Sequence, residues 1–239
     1  MKTVIIGDSF TEGMPGAAYW NYFYDKSQLI NKGVCGDTLY GASKRVMRML
    51  HSKDGQKIDH YIIQIGTNDV LLPVLMKHSK YWKRVVKVKG CLFGSIPCRD
   101  INDFKIGYEQ LILTLLRNKK KVGIIGLPLV ENSLLRMDDT MQEYHVVVQD
   151  LARKYHLGYV DLRAWEIWKK KENQGTYFYG KTNLGNFIDT VFTSFLPFGN
   201  TVSKMRGLAV TVDGIHPNKS TAKALAKLVE EKFLFNTID

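Results

Sequence analysis

Four short stretches carry groups that together can attack an acyl carbonyl. Gly7-Asp8-Ser9-Phe10 supplies a hydroxyl at Ser9, and Asp213-Gly214-Ile215-His216-Pro217 supplies an imidazole with a carboxylate three residues before it. A serine hydroxyl is a poor nucleophile until an adjacent imidazole takes its proton, and histidine titrates near the working range. Asp213 can reach back across one turn to the other ring nitrogen of His216, fixing its tautomer and stabilising the imidazolium. Attack on the carbonyl also leaves a charged oxygen that needs hydrogen-bond donors. Gly33-Val34-Cys35-Gly36-Asp37-Thr38 offers Gly36, whose missing side chain lets a backbone N–H approach a substrate. Gly66-Thr67-Asn68-Asp69 offers the Asn68 amide for the same oxygen.

Each stretch alone has an ordinary reading. Gly-Asp-Ser after a strand serves as a turn or helix cap, and Gly-Thr-Asn-Asp is a common turn. Asp-Gly-Ile-His-Pro by itself reads as a loop entering a helix. What singles the four out is their joint placement, each at a strand end or a helix entry. Asp8 and Asp69 are expected to hold their loops by accepting from backbone N–H groups. His51, His60, His78, His145 and His156 have no carboxylate at a comparable spacing and are expected on the surface or in packing.

The elements that must position these residues follow from the apolar pattern. Short runs at 3–6, 29–34, 61–65, 122–127 and 158–162 read as buried strands, most of them closed by Gly or Asp. Between them lie helical patterns. Leu39, Ala42, Val46, Met49 and Leu50 share one face, as do Phe104, Tyr108, Leu111, Ile112 and Leu115. Met141, Tyr144, Val148, Leu151 and Tyr155 repeat the pattern, and so do Ala222, Leu225, Ala226, Val229 and Phe233. Lys219, Lys223 and Lys227 form a solvated stripe on that last helix. Alternation of strand and helix implies a mainly parallel sheet covered on both faces, with the ligand site beyond the carboxyl ends of the strands.

Two stretches depart from the alternation. Residues 73–100 are basic and aromatic, with Lys77, Lys80, Lys83, Arg84, Lys87 and Lys89 around Tyr81 and Trp82. Residues 163–208 are aromatic and glycine-bearing, including Trp165, Trp168, Tyr177, Phe178, Tyr179, Phe187, Phe192, Phe195 and Phe198. Long excursions of this kind are functional loops or flexible segments. The expectation is one domain, 1–239, with insertions at about 73–100 and 163–208, the second walling the site around Ser9.

Bulk composition narrows the class. Hydrophobic residues make up 45% of 239, enough for an ordinary core, and the net charge is +11. Such charge suits anionic partners, but no nucleic-acid motif accompanies it, so it reads as solubility charge and no specific nucleic acid is expected. Cys35, Cys91 and Cys98 are odd in number and lack zinc-site spacing, and no apolar run is long enough for a signal peptide or a membrane span. A cytoplasmic location is therefore expected.

In block order the residues resemble the SGNH/GDSL hydrolases. Val4-Ile5-Ile6-Gly7-Asp8-Ser9 is similar to the first block, with Phe10 where Leu is common. Gly36 before Asp37-Thr38 is similar to the second, Gly66 to Asp69 to the third, and Asp213 to His216 to the fifth. The resemblance implies an α/β fold, a flavodoxin-like three-layer α/β/α sandwich with a mainly parallel five-stranded sheet, and no metal or organic cofactor. It implies Ser9 as nucleophile, His216 as general base and then acid, and Asp213 as its orienting partner. Ser9 N–H, Gly36 and Asn68 would form the oxyanion hole. Ser9 does not sit in the G-x-S-x-G elbow of ordinary α/β-hydrolases. The expected activity is that of a serine esterase or deacylase on a small acyl ester, whether acetylated sugar, short acyl ester, lipid or thioester. A catalytically silent module binding acylated carbohydrate or an anionic polymer is the competing reading, and nucleic-acid binding through 73–100 a third.

Overall fold

The computed structural model describes residues 1–78, 80–131, 137–171 and 199–235. Five strands form one sheet: β1 (Thr3–Gly7), β2 (Leu29–Gly33), β3 (His60–Gln64), β4 (Lys121–Ile125) and β5 (Gly158–Val160). Their order is β2-β1-β3-β4-β5, and every pairing is parallel. All residues of β1 and β3 are buried, as central strands covered on both faces must be. Edge strand β2, Leu-Ile-Asn-Lys-Gly, is only half-buried, which is why its apolar run is short.

Apart from a single turn at Lys53–Gln56, the described helices are α1 (Ser9–Glu12), α2 (Leu39–Leu50), α3 (Thr67–His78), α4 (Lys80–Phe93), α5 (Ile101–Arg117), α6 (Asp138–Lys154), α7 (Leu162–Lys171), α8 (Gly199–Met205) and α9 (Lys219–Val229). The last continues through a π-turn, Glu230–Leu234. Helix α5 packs between α2 and α6, and α9 packs against a short 3₁₀ turn, Tyr19–Tyr22. The result is a three-layer α/β/α sandwich of the flavodoxin-like order. No described helix is long and apolar enough to cross a membrane.

The expected inward faces are buried, with Met49 and Tyr155 only partly so. Lys219, Lys223 and Lys227 are exposed. Lys223 lies over the Tyr22 ring, its Nζ 5.6 Å from the centroid. Strand β5 stops at Val160, short of the expected 162, because Asp161 turns the chain: its Oδ1 accepts from Ala164 N at 2.9 Å at the start of α7.

Residues 73–100 are the main correction. Most of this expected loop is helix: the end of α3, then α4. Two features hide it. Pro73 lies inside α3, where it cannot donate to the preceding turn. Helix α4 buries only Val86 fully and exposes Tyr81, Val88, Leu92 and Phe93, so its apolar period does not mark an inward face. The stretch 163–208 opens as α7 and closes as α8. Residues 172–198, with Tyr177 through Phe195 and Phe198, lie outside the described residues, and so does the expected wall over Ser9.

One aromatic, Phe233, packs against β3, β4 and β5. A Cβ on Gly123 of β4 or Gly158 of β5 would stand 2.7 Å from the Phe233 ring. Phe233 also meets His60 edge-on at 5.8 Å. Burial pushes the His60 imidazole down to about 4, so it is neutral in the core. Phe233→Ala should therefore leave a cavity over bare glycine backbone and cost about 3–5 kcal/mol. Urea denaturation measures this, and a loss below about 1 kcal/mol would show that the π-turn does not close the sheet.

Candidate active site

With strand order β2-β1-β3-β4-β5, the chain leaves β1 toward one edge and returns on the other side at β3. The crevice between the carboxyl ends of β1 and β3 is the topological switch point, where open α/β sheets bind ligands. Ser9 follows β1 and Asn68 follows β3. Asp8 caps α1 by accepting from Phe10 N at 3.0 Å, which leaves Ser9 in the first helical turn with its N–H unused by the helix.

The structure brings His216, from the loop before α9, to Ser9. Ser9 Oγ is 3.1 Å from His216 Nε2, and His216 Nδ1 is 2.7 Å from Asp213 Oδ2. All three residues are buried. Asp213 divides its oxygens: Oδ2 meets the ring, while Oδ1 accepts from Ile215 N at 3.0 Å and His216 N at 2.7 Å. This Asx-type turn explains the three-residue spacing, since one carboxylate both shapes the turn and holds the ring at its end. With Nδ1 donating to Asp213, Nε2 is left to accept from the Ser9 hydroxyl.

The same contacts set the charges. Burial works against the Asp213 carboxylate, yet the His216 charge and the bonds from the His216 ring, His216 N and Ile215 N outweigh it and bring its pKa down to about 2. Burial also disfavours the imidazolium of His216, but Asp213, by charge and hydrogen bond, and then Asp8 raise its pKa above the ordinary value. Asp8 responds in the opposite sense. Burial, only partly offset by the Phe10 N bond, Thr67 and the His216 charge, pushes it up to about 7.

The second and third stretches are tied together. Asn68 Nδ2 donates to Asp37 O at 2.9 Å, using one of its two hydrogens. Asp69 Oδ2 accepts from Leu39 N and Oδ1 from Cys98 N, both at 2.9 Å, joining α3 to α2 and to the chain after α4. Burial raises its pKa to about 6. Gly36 has φ +70, the left-handed region that favours glycine, and its N–H bonds to no group among the described residues.

Several supporting residues had no motif to mark them. Arg45 of α2 pairs with Asp37 and donates to Gly7 O at 3.1 Å and to Lys32 O, holding the second stretch against the ends of β1 and β2. Glu131, beyond β4, is a buried carboxylate. Its Oε1 accepts from Ala209 N (2.9 Å), and its Oε2 accepts from Val210 N (3.1 Å), Thr211 N (2.8 Å) and Thr211 Oγ1 (2.6 Å). Glu131 N donates in turn to Gly214 O at 2.8 Å. These bonds hold the loop that carries Asp213. Their partners are some eighty positions apart, as in Glu131 and Thr211 (|i−j| of 80), so no local pattern could reveal them.

Among the other histidines, His145 is buried, with Nδ1 3.1 Å from Leu127 O and Nε2 3.6 Å from Asp161 Oδ1. It does have a carboxylate in space, one that sequence spacing concealed. Burial, only partly offset by Asp161, lowers its pKa. No cluster of His, Cys, Asp or Glu suited to a metal ion occurs among the described residues.

Comparison with known proteins places the chain in context. The model of the GDSL-like lipase/acylhydrolase family matches residues 5–224. No curated protein matches the sequence. Among solved structures, Axe2, an acetylxylan esterase from Geobacillus stearothermophilus, aligns over 96% of this chain and 92% of its own, with 18% identity and a TM-score of 0.59. Catalytic mutants of that enzyme replacing a serine, an aspartate and a histidine also align. An acetyl xylan esterase, AlAXEase, aligns over 97% of this chain and 98% of its own, with 16% identity and a TM-score of 0.58. At these identities the likeness is one of fold.

Glu131 generates a test of how the loop is held. Glu131→Gln keeps the shape but turns an amide N–H₂ toward backbone donors. It should cost about 2–4 kcal/mol in urea denaturation and lower ester turnover by loosening Asp213. Wild-type stability in that variant would show that the carboxylate is not needed to hold residues 209–214.

Proposed function

The chain belongs to the GDSL-like lipase/acylhydrolase family and is a carboxylic ester hydrolase, and on that premise we propose that it works through an acyl-serine intermediate formed at Ser9. The observation that carries this reading is the unbroken run Ser9 Oγ–His216 Nε2–His216 Nδ1–Asp213 Oδ2, with contacts of 3.1 and 2.7 Å. The aspartate and histidine replaced in the Geobacillus catalytic mutants are spaced as Asp213 and His216 are, which supports the same reading.

In this mechanism Ser9 Oγ attacks the ester carbonyl while its proton passes to His216 Nε2. The imidazolium so formed lies against an Asp213 that stays ionised, and the developing oxyanion accepts from Ser9 N–H, Gly36 N–H and Asn68 Nδ2. Collapse expels the alcohol, which takes the proton from Nε2. Water then adds to the acyl-serine by the same steps, releasing the acid and restoring Ser9. The proposed substrate is a small acyl ester. Acetylated sugar is the first class to examine, because the aligned esterases are named for acetylated xylan.

A fluorophosphonate probe should label the protein at Ser9, and Ser9→Ala should abolish labelling and lower kcat on p-nitrophenyl acetate by at least ~10³-fold. Near-full activity in a folded Ser9→Ala protein would assign the chemistry elsewhere. Acetylated xylo-oligosaccharide should release acetate with a higher kcat/KM than butyryl or longer p-nitrophenyl esters. The reverse order would make the acyl chain, and not the sugar, the recognised part. An unlabelled, inactive wild-type protein would favour a silent binding module.

The pH profile tests the base. His216 accepts the serine proton only when neutral, and its pKa is raised, so kcat/KM should fall as pH drops through a value above about 6.5, the ordinary imidazole pKa. Asp213→Asn removes the partner that raises it. The acid limb should then move to lower pH while kcat drops about 10³–10⁴-fold through the wrong tautomer. An acid limb that Asp213→Asn leaves in place would belong to another group.

A further inference from the structure

Helix α4, the basic excursion, sends one side chain to the loop the mechanism relies on. Lys89 Nζ donates to Cys35 O at 2.8 Å. That carbonyl and the Gly36 N–H belong to one planar peptide unit and point to opposite sides of it. Fixing the carbonyl therefore fixes the direction of the N–H. A Cβ on Gly36 would stand 2.6 Å from Nζ, so a side chain at residue 36 would push the ammonium from its present position. The neighbouring amides are already committed: Cys35 N donates to Glu12 Oε2 and Asp37 N to Val34 O. Gly36 N–H, between them, is the one left for a ligand among these three.

We propose that Lys89 is a positioning residue for the oxyanion, holding and polarising the Cys35–Gly36 peptide so that Gly36 N–H is a pre-set donor to the tetrahedral intermediate. The proposal rests on the reading of Gly36 as an oxyanion donor. Two physical effects act together. A charge-assisted bond to the carbonyl is about twice as strong as a neutral one and resists rotation of the peptide plane. Electron density drawn toward the carbonyl oxygen leaves the N–H more positive, as in any hydrogen-bonded chain. Both serve charge that develops in the transition state, so they act on kcat more than on ground-state binding. Through Lys89, helix α4 braces the second stretch from outside the sheet.

Lys89→Met keeps most of the length of the side chain and removes its charge. Loss of a whole oxyanion donor costs ~10²–10³, so weakening one should lower kcat on neutral p-nitrophenyl acetate by about 10-fold with KM within about 2-fold. The rate of fluorophosphonate labelling should fall in parallel, because the probe's tetrahedral oxygen uses the same donors. The thermal midpoint should stay unchanged, and Lys89→Arg should recover most of the turnover. A kcat within about 2-fold of wild type would overturn the proposal. So would a KM increase confined to anionic esters, which would assign Lys89 to substrate binding, or an activity loss that merely follows a lowered thermal midpoint. Ser9→Ala run alongside separates the two levels. Activity abolished by Ser9→Ala but indifferent to Lys89→Met removes this proposal alone, whereas a wild-type protein neither labelled nor active removes the acyl-serine reading and this proposal with it.

Discussion

The buried Asp213 carboxylate is the constraint around which the site is organised. A negative charge in the interior is costly unless it is paired and hydrogen-bonded. Asp213 meets that demand with three donors, two of them backbone amides within its own turn. The turn must therefore be closed and dry, which requires the preceding residues to be held. Glu131 does this from beyond β4, Ser203 Oγ donates to Leu208 O at 3.1 Å, and Asn218 Nδ2 donates to Ala209 O at 2.9 Å. Asn218 also caps α9, its Oδ1 accepting from Thr221 N at 3.0 Å, so the helix that packs the C-terminus starts where the turn ends. One buried charge thus recruits the end of β4, the approach from α8 and the start of α9.

The opposite wall of the site is held by different chemistry. Around the second stretch, Asp37 takes Arg45 on one oxygen and Thr38 N and Ser95 Oγ on the other. Asp69 bridges α2 to the chain after α4, and Thr38 Oγ1 donates to Ile96 O at 2.9 Å. Chain from the 73–100 excursion is therefore built into the frame of Gly36 and Asn68. The second and third stretches follow strand ends, while part of their bracing comes from an element that the alternating α/β pattern does not include.

That division explains what was legible in the sequence. Central strands announce themselves because burial on both faces demands an unbroken apolar run, as in Val4-Ile5-Ile6 and Tyr61-Ile62-Ile63. Helices α2, α5, α6 and α9 each bury one face, so their period is clear. Ser9, Gly36, Asn68, Asp213 and His216 stand out as candidates because each belongs to a short local pattern at an element boundary, and the structure sets Ser9, His216 and Asp213 in contact. Glu131 and Lys89 bond chiefly to backbone atoms distant in sequence. Such a bond constrains the type of only one partner, so it leaves no paired trace in the chain. Helix α4 was missed for another reason: its apolar residues do not face the core, so period and burial disagree.

Two buried carboxylates near His216 show how the bonds each accepts decide whether burial prevails. Asp8 and Asp213 are both buried, and desolvation is the largest influence on each. Asp213 has three donors and a facing imidazole, and its pKa falls to about 2. Asp8 has one backbone donor, while its Oδ2 lacks a hydrogen-bond partner among the described residues, and its pKa rises to about 7. Below neutrality the imidazole therefore faces one ionised carboxylate and one that is largely neutral. As pH rises through about 7, Asp8 ionises and adds its charge to that of Asp213, which favours the imidazolium further. The influence is mutual: an ionised Asp8 favours the imidazolium, and the His216 charge favours the ionised Asp8. The residue that caps α1 beside Ser9 is thereby coupled by charge to the imidazole that Ser9 Oγ meets.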